Sequence, residues 1–486
     1  MKGLARFIGR SASVIPKIGC PKEEFLTKAK FIRSMTCWRD SIPPIKMMHL
    51  TTFDFELFAG FVKTAALALL LAGAAPAEAQ DVRAAISGAL PVARDAYAYL
   101  HTNPELGKKE LLAHTYIDAK LRKLGFTQFV TSASAPTAVI TVFDTGRPGH
   151  TIALRAEMDA RPLADNQSEP ASHSPRSAIP GVMHNCGHDV HASILLATAA
   201  LIRTNADHFK GKIVFLFQPA EEVAGGADDI VKDRILEQLG VERIFALHSA
   251  PGMPVRTIGL TPGAILAGSN YFTLTLSGRG SHAAAPQDGD DVLLSAMRVA
   301  QGLSYAPARE IDIAARPMVL SITKFAGDSG ATNVLPSSVE IKGTIRAFED
   351  LTKDAAGAPS LEKLLVDRIG KMGAVYGLHP KWELRPASPP TSNDPALFAK
   401  LAPLLTASYS GHVETGQSRG MFSEDFAYYT PIVPALYASL GIAKDGLGTA
   451  GVHSMDFTIH PDALSAGIEL MIRFAEFGTS DTITWR

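Results

Sequence analysis

The chain has 486 residues, a length that suggests two or three ordinary domains. Lys and Arg total 47 and Asp and Glu total 48, so the formal net charge is −1. This balance gives no basic excess for nucleic acid and no acidic tail for a charged partner. Hydrophobic residues make up 46% of the chain, the usual share for a soluble globular protein. The composition therefore favours action on a small molecule and predicts no nucleic-acid partner.

The first eighty residues differ from the rest. Residues 64–75 (TAALALLLAGAA) are uncharged and apolar, and residues 76–79 (PAEA) end in a small-x-small triplet. This pattern is typical of a secretory signal peptide cleaved after Ala79, although a buried Ala/Leu helix has the same pattern. The run is too short for an ordinary membrane span, so we expect an exported protein, periplasmic or secreted, without a stable membrane anchor. A start at Met47 or Met48 would give the signal peptide a more usual length.

The next segment alternates helical and strand patterns. A helical pattern covers residues 81–125 and ends at Gly125, and another covers residues 192–202. Short apolar runs predict buried strands at 138–143, 151–154, 213–217 and 244–247. Strands that alternate with helices predict an α/β domain with helices on both faces of its sheet.

The pattern changes near residue 263. Alternating strands and helices are predicted at 271–276, 291–300, 318–325, 338–348 and 361–376. They indicate an antiparallel α+β block of about a hundred residues, the size of a small domain. A helix, a strand and a helix follow at 395–405, 435–440 and 463–477. We therefore predict an N-terminal extension with signal peptide (1–79), a larger domain in two parts (80–262 and 379–486), and an inserted domain (263–378).

Metal-binding residue types cluster after the predicted strands of the larger domain. In an open α/β sheet, ligands bind at the carboxyl ends of the strands. The clusters are Glu157 with Asp159, the run 183–191 (MHNCGHDVH), Glu221 with Glu222, His248, and His453. Such residues are individually common in structural roles, and the weight of the pattern comes from the clusters taken together.

Cys186 is the cysteine that a mature chain from residue 80 retains, because the other two are Cys20 and Cys37. An internal disulfide is then excluded. Gly187 allows a tight turn between this thiol and His188, and zinc-like metals take thiolate and imidazole together. The alternative is a cysteine packed in the core beside surface histidines. The crowding of donors favours metal.

The candidate donors outnumber what one catalytic metal ion needs. They are Cys186, His188, Glu222, His248 and His453. One catalytic zinc keeps a position open for water, so five protein ligands fit two ions that share a ligand. Glu221 remains uncoordinated and can hold a proton, although a helix N-terminus could also explain the adjacent carboxylates. The predicted cofactor is a pair of divalent ions, with zinc, manganese, cobalt and nickel as alternatives.

Nine ordered motifs between Val92 and Phe474 resemble the M20 metallopeptidase family, in the branch of hippurate hydrolases, auxin-conjugate hydrolases and aminoacylases. The motifs are HTNPELGKKE from His101, LRAEMDARP from Leu154, MHNCGHDVH from Met183, FQPAEE from Phe217, LHSAPGMPVRTIG from Leu247, GRGSHAAAP from Gly278, NVLPSSVEIKGTIR from Asn333, SEDFAYY from Ser423 and GVHSMDF from Gly451. The resemblance implies a metal-dependent exopeptidase-type catalytic domain, with a mostly parallel central sheet flanked by helices. It also implies that residues 263–378 form an inserted α+β lid and dimerisation domain, so the expected protein partner is a second copy of the chain.

The resemblance also implies residue roles. The five donors named above match the metal ligands of the family, and Glu221 matches its general base. Asp159 matches the carboxylate that orients a ligand. His282 matches a residue that stabilises the oxyanion, often in the partner's active site, and Asn333 and Arg346 match contacts to the substrate carboxylate. The alternatives are a turn cap for His282 and an ordinary surface position for Arg346.

The expected function is metal-dependent hydrolysis of N-acyl amino acids (acetyl, benzoyl or similar) or small peptides. Alternatives are deacetylation of another small amide, such as an amino sugar or a diaminopimelate derivative, and a non-catalytic binding role. Departures from the family pattern include Glu157 in place of Asp, and Asn185 and Val190 beside Cys186. These departures leave every predicted ligand and the base in place, and they are candidates for changes in metal preference, substrate choice or rate.

Overall fold

A computed structural model describes residues 77–485, apart from residues 356 and 418. The apolar run 64–75, Cys20 and Cys37 lie outside the described residues. The predicted cleavage point after Ala79 falls within the first described helix, Ala77–Thr102. Within residues 77–485, no helix is long and apolar enough to cross a membrane.

The helices follow the predicted pattern with one correction. They are α1 (Ala77–Thr102), α2 (Leu111–Lys123), α3 (His188–Thr204), α4 (Gly226–Lys232), α5 (Ile235–Gln238), α6 (Val292–Arg309), α7 (Leu361–Val375), α8 (Pro395–Ser408) and α9 (Asp462–Ser480). The helical pattern predicted over 81–125 is divided between α1 and α2, because the chain leaves the helix after Thr102. Asn103 precedes Pro104, and a residue before proline disfavours helical backbone angles.

The large sheet contains all four strands predicted before residue 263. Numbered along the chain, its strands are β1 (Gln128–Val130), β2 (Val139–Asp144), β3 (Thr151–Glu157), β6 (Lys212–Gln218), β7 (Arg243–Pro254), β8 (Thr257–Leu260), β17 (His412–Thr415) and β18 (Ala435–Ala443). Their spatial order is β1-β2-β6-β3-β7-β18-β8-β17. The central strands β6, β3, β7 and β18 run parallel, whereas β2 is antiparallel to β6 and β8 is antiparallel to β18. The predicted mostly parallel α/β sheet is therefore confirmed.

Both faces of the large sheet are buried. Leu154 of β3 packs in a core that includes Leu196 of α3 and Phe474 of α9. Its neighbour Ala153 points to the other face, into a core that includes Ile230 of α4. Burial on both faces explains why the central strands are continuous apolar runs rather than alternating ones.

The second sheet is antiparallel, and its strands are β10 (Gly268–Ser277), β12 (Met318–Ala326), β14 (Ser338–Ala347) and β15 (His379–Ser388). Their spatial order is β12-β14-β10-β15. Helices α6 and α7 cover one face, where Val299 and Leu365 share a core with Phe272 of β10. Strand β15 belongs to this sheet although it lies beyond the domain boundary predicted at 378. Its two prolines and its exposed residues resemble a loop in the sequence, but prolines are tolerated in a strand at the edge of a sheet.

Short strand pairs complete the described structure. They are β4 (Arg161–Pro162) with β5 (Val182–Met183), β9 (Gly263–Leu266) with β16 (Thr391–Asn393), and β11 (Ser281–His282) with β13 (Val334–Leu335). All described residues belong to one compact unit.

Candidate active site

A cavity of about 430 Å³ is lined by residues from both sheets. Glu221, which follows β6, and His248 of β7 contribute from the large sheet. Tyr271 of β10 and Arg346 of β14 contribute from the second sheet. A small molecule in this cavity would therefore contact both sheets at once.

The five predicted metal donors form two overlapping groups. Donor atoms of Cys186, His188 and His248 lie within 4.8 Å of one another, and so do donor atoms of Cys186, Glu222 and His453. Cys186 belongs to both groups, and its Sγ lies 3.5 Å from Nε2 of His248. The structure thus brings together residues that are up to 267 positions apart, from Cys186 to His453. One sulfur between two donor groups suits a pair of ions that share a ligand.

A tight turn at Gly187 positions two of these donors. Its φ of +93° lies in the left-handed region, and a Cβ at this position would lie 2.6 Å from Oγ of Ser249. Helix α3 begins directly afterwards at His188. Glycine is therefore required both for the backbone angle and for the close approach to Ser249.

His453 reaches the same site through an unusual backbone conformation. Its φ is +69°, and its backbone N–H donates to the carbonyl oxygen of Asn185 at 2.6 Å. Non-glycine residues in the left-handed region cost energy and persist where surrounding contacts hold them. The hydrogen bond ties the late loop to the Cys186 turn and keeps the imidazole beside Glu222.

The Glu221–Glu222 pair lies in a turn and not at the start of a helix. Helix α4 begins only at Gly226, so the helix N-terminus considered as an alternative does not compensate these carboxylates. The turn is held by two carboxylates. The N–H of Glu222 donates to Oδ2 of Asp159 at 3.0 Å, and the N–H of Ala220 donates to Oε1 of Glu110 at 2.8 Å. Glu110 was not singled out from the sequence.

Asp159 contacts His188, one of the predicted metal donors. Nδ1 of His188 lies 2.9 Å from the Asp159 carbonyl oxygen and 3.2 Å from its Oδ1. Burial raises the pKa of Asp159, but the hydrogen bonds from His188 and from the backbone of Glu222 outweigh it and lower the pKa overall. The aspartate is therefore a carboxylate that leaves Nε2 of His188 directed at the other donors.

Two buried polar atoms indicate that the donors fit a metal ion. Nε2 of His188 and Oε1 of Glu222 have no hydrogen-bond partner among the described residues. Buried polar atoms are normally paired, and an unpaired one costs free energy. Metal ions in the two donor groups would satisfy these atoms, and a set of thiolate, imidazole and carboxylate ligands suits zinc or a neighbouring transition metal. The residues present therefore fit the expected cofactor.

A buried arginine network beside the site was missed by the sequence reasoning. Arg155 of β3 is fully buried, and its Nη2 donates to Oε1 of Glu424 at 2.9 Å and to Oδ1 of Asp425 at 2.8 Å. Its Nη1 donates to Glu157. Burial lowers the pKa of Arg155, but the carboxylates, Glu424 foremost, raise it overall, so the guanidinium stays charged. A charged residue inside an apolar strand was the signal that could have identified this network.

Glu221 lies between this acidic network and the donors. Its Oε2 is 3.9 Å from Nε2 of His188, and its Oε1 accepts a long hydrogen bond of 3.4 Å from the N–H of Asp425. Burial raises its pKa well above the ordinary value, and repulsion from Glu424 and Asp425 adds to the effect. A carboxyl group whose proton is retained more readily is suited to exchange that proton with a substrate.

The three residues predicted from the lid have different locations. Arg346 lines the cavity, and its Nη1 donates to Oγ of Ser423 at 2.8 Å. His282 and Asn333 are exposed on and beside the β11–β13 pair, and neither lines this cavity. Nδ1 of His282 accepts the N–H of Ala284 at 3.0 Å, as the turn-cap alternative requires. Within the described residues of one chain, Arg346 alone of the three reaches the site.

Known proteins resemble this chain in sequence. The model of peptidase family M20/M25/M40 matches residues 153–476. An IAA-amino acid hydrolase (ILR1-like 4) of Arabidopsis thaliana is 35% identical over 380 residues, covering 76% of this chain and 82% of that protein. An N-acetyl-L-cysteine deacetylase of Bacillus subtilis is 31% identical over 349 residues, covering 71% and 79%.

Solved structures agree with the sequence relatives. A putative aminohydrolase from methicillin-resistant Staphylococcus aureus superposes with a TM-score of 0.74 at 28% identity, covering 82% of this chain and 98% of the other. The YxeP protein of Bacillus subtilis, described as a dinuclear metal-binding peptidase of the M20 family, gives 0.69 at 25% identity, covering 82% and 100%. The predicted family and fold are confirmed: the chain belongs to peptidase family M20/M25/M40 and is a metal-dependent hydrolase of carbon–nitrogen amide bonds.

Proposed function

We propose that the enzyme hydrolyses the amide bond of N-acyl amino acids, releasing a carboxylic acid and a free amino acid. One observation carries this proposal. The same 430 Å³ cavity is lined by Glu221, by four of the five metal donors and by the guanidinium of Arg346. A substrate with an amide at the donors and a carboxylate at the guanidinium matches that combination. The names of the plant and bacterial relatives describe substrates of this type.

The bond-breaking step combines metal chemistry with proton transfer. Cys186, His188, Glu222, His248 and His453 would hold divalent ions, which would supply polarisation of the scissile carbonyl and a lower pKa for the attacking water. Glu221 takes the proton from that water and gives it to the nitrogen of the leaving amine. Its carboxyl side chain is 11% exposed, so bulk solvent competes little for the proton.

Arg346 binds the carboxylate of the amino-acid half. A planar guanidinium matches a carboxylate with two parallel hydrogen bonds. Its hydrogen bond to Ser423 fixes the side chain while leaving further N–H donors for the substrate. This preference for a carboxylate favours N-acyl amino acids over amino sugars, which carry none at the corresponding position.

The acyl group is proposed to occupy an adjoining cavity of about 450 Å³. The two cavities share four residues in their walls, namely His248, Phe422, Tyr437 and Val452. The second one is also lined by Ile265 and Leu266, so its apolar wall suits an aliphatic or aromatic acyl chain.

We also propose that the enzyme is exported and acts as a homodimer. His282 and Asn333 lie outside the cavity of their own chain, and a second copy could receive them. Helix α6 exposes Leu294, Met297 and Tyr305 near the free edge strand β12, which supports an apolar contact between copies. Mixing inactive His282→Ala and Glu221→Gln proteins should restore part of the activity if His282 acts across the interface. Two variants that stay inactive when mixed, although they form mixed dimers, would contradict this.

The substrate class is tested with protein that begins at Gln80, purified without chelator. Hippurate, N-acetylmethionine, an indole-acetyl amino acid and two dipeptides are assayed with added manganese, zinc or cobalt. Metal-dependent release of a free amino acid from an N-acyl substrate is the expected result. Bound metal without turnover of any of these substrates would contradict the proposed substrate class. Absence of both metal and turnover would favour a non-catalytic binding role.

A further inference from the structure

We propose that Arg161 is a resident cation in one half of the metal centre, and that it makes the second ion bind more weakly than the first. This inference rests on the proposed two-ion centre. The guanidinium competes for the ligands Glu222 and His453, so the two ions should load in separate steps. Arg161 has no role in the sequence prediction, and its position in the site emerges from the side-chain geometry.

The competing contacts are direct. Nη1 of Arg161 donates to Oε2 of Glu222 at 2.5 Å and lies 3.3 Å from Nε2 of His453. Oε1 of Glu222 is buried and has no hydrogen-bond partner among the described residues, and it lies 3.6 Å from the same His453 nitrogen. The guanidinium therefore contacts two of the three donors in the group that Cys186 completes.

The other donor group holds no such cation. Nδ1 of His188 is bonded to Asp159, and Nδ1 of His248 lies 2.9 Å from the carbonyl oxygen of Ser249. No Arg or Lys among residues 77–485 donates to Cys186, His188 or His248. An ion can enter this group without displacing a positively charged side chain.

Charge explains why the two positions should differ. A guanidinium is always protonated, so an ion bound to Glu222 and His453 would meet a like charge at contact distance. Like charges about 4 Å apart repel strongly in a partly solvated site. The ion must therefore break the Arg161–Glu222 pair and move the guanidinium away.

The structure offers a route for that movement. The Arg161 side chain is 31% exposed and lines the cavity, whereas the Glu222 side chain is 9% exposed. The backbone of Arg161 is fixed in the β4–β5 pair opposite Met183, so its side chain can rotate while the strand stays in place. Displacement therefore requires a change of side-chain rotamer and no rearrangement of the fold.

Calorimetric titration of metal-free enzyme with Mn²⁺ tests the inference directly. Wild-type protein should bind one ion tightly and a second at least about tenfold more weakly. Arg161→Leu and Arg161→Gln should strengthen the second step by about tenfold or more and leave the first within about twofold. Arg161→Lys keeps the charge and should retain most of the difference between the steps.

Arg419→Leu is the matched control, because Arg419 lines the adjoining cavity without bonding to any donor. It should reproduce the wild-type constants. Two neutral variants at Arg161 are used so that poor folding of one leaves the other to decide. Unchanged second-step constants in a folded neutral variant would overturn the inference while leaving the two-ion centre intact. Failure of wild-type protein and both variants to bind a second ion would instead overturn the proposed two-ion centre.

Discussion

Oε2 of Glu157 and Nδ1 of His191 are joined by a hydrogen bond of 2.8 Å in the buried layer behind the metal donors. The backbone N–H of Ser249 donates to the other ring nitrogen of His191 at 2.9 Å, so the histidine proton resides on Nδ1 and points at the carboxylate. The ring of His191 lies 4.6 Å from that of His248. Glu157 thus supports the segment of β7 that carries a metal donor. The departure from aspartate noted in the sequence falls within this contact.

Glu157→Gln should destabilise the enzyme strongly. Glu157 is fully buried and bonded to both Arg155 and His191, so the neutral amide leaves the guanidinium with less compensation. Breaking a buried ion pair costs about 3 kcal/mol or more. The free energy of unfolding is measured by urea denaturation.

The matched control for this change is Glu340→Gln in the second sheet. Glu340 pairs with Lys324 and Lys342 at the surface, where such pairs contribute about 1 kcal/mol or less. Equal losses of stability in the two variants would show that the Glu157 network contributes no more than a surface pair.

His101 should make stability fall as the pH rises above neutrality. Its ring nitrogens lie 2.6 Å from Oδ2 of Asp189 and 2.8 Å from Oε1 of Glu169, so both donate when the ring is charged. Burial lowers the pKa of His101, but these two carboxylates outweigh it and raise the pKa to about 10. The folded-state pKa exceeds the unfolded value, so the stabilisation is complete below about pH 6.5 and is lost as the pH approaches 10.

The free energy of unfolding should therefore decline between pH 6.5 and 10 more steeply in the wild type than in His101→Gln. Thermal or urea unfolding at several pH values measures the two slopes. His412→Gln, at an exposed position of β17, should keep the wild-type slope. Identical slopes for wild type and His101→Gln would show that His101, with its partners Asp189 and Glu169, does not titrate between pH 6.5 and 10.

Metal removal should lower the melting temperature. The unpaired atoms of His188 and Glu222 gain a partner when metal binds. A free ion concentration a hundred times the Kd raises the free energy of unfolding by about 2.7 kcal/mol. Scanning fluorimetry before and after chelation measures the shift, and added Mn²⁺ should reverse it. A melting temperature unaffected by chelation and by added metal would show that these donors hold no ion.

Arg346→Met should weaken binding of substrates that carry a carboxylate. Loss of a charged hydrogen-bonded pair should reduce kcat/KM by roughly 10- to 100-fold, mostly through KM. The wild type should show a similar loss on the carboxamide analogue of its substrate, and the variant should lose little further on that analogue. Steady-state kinetics of both proteins on both substrates measures the coupling.

Arg385→Met serves as the control for Arg346. Arg385 lies on β15 of the same sheet, with its guanidinium 4.6 Å from the centre of the Tyr271 ring, and it does not line the cavity. It should leave the carboxylate preference unchanged. Additive losses in Arg346→Met and in the carboxamide substrate would contradict a direct contact between them.

The sequence predicted those strands and helices whose burial produces a long or regular pattern of apolar residues. Strands such as β6, apolar throughout, and helices such as α3 lie close to the predicted positions. The edge strands β1 and β17, and β8 beside β17, were missed because they are only three or four residues long. A strand of that length carries too few residues to establish a period.

The metal donors were predictable because thiol, imidazole and carboxylate groups crowd into short motifs. Contacts between motifs were not predictable in the same way. Arg155 and Asp425 are 270 positions apart, and the ion pair between them depends on how the late chain folds back over β3. The competition between Arg161 and a metal ion for Glu222 likewise depends on side-chain directions that motif spacing does not specify.

In the proposed metal-dependent hydrolysis, Glu221 moves the proton while the donors hold the metal. Glu221→Gln tests it most directly, with kcat and the number of bound ions measured on the same preparation. We expect the wild-type number of ions with kcat lower by roughly 10²- to 10⁴-fold. A variant with wild-type metal content and undiminished kcat would contradict the claim.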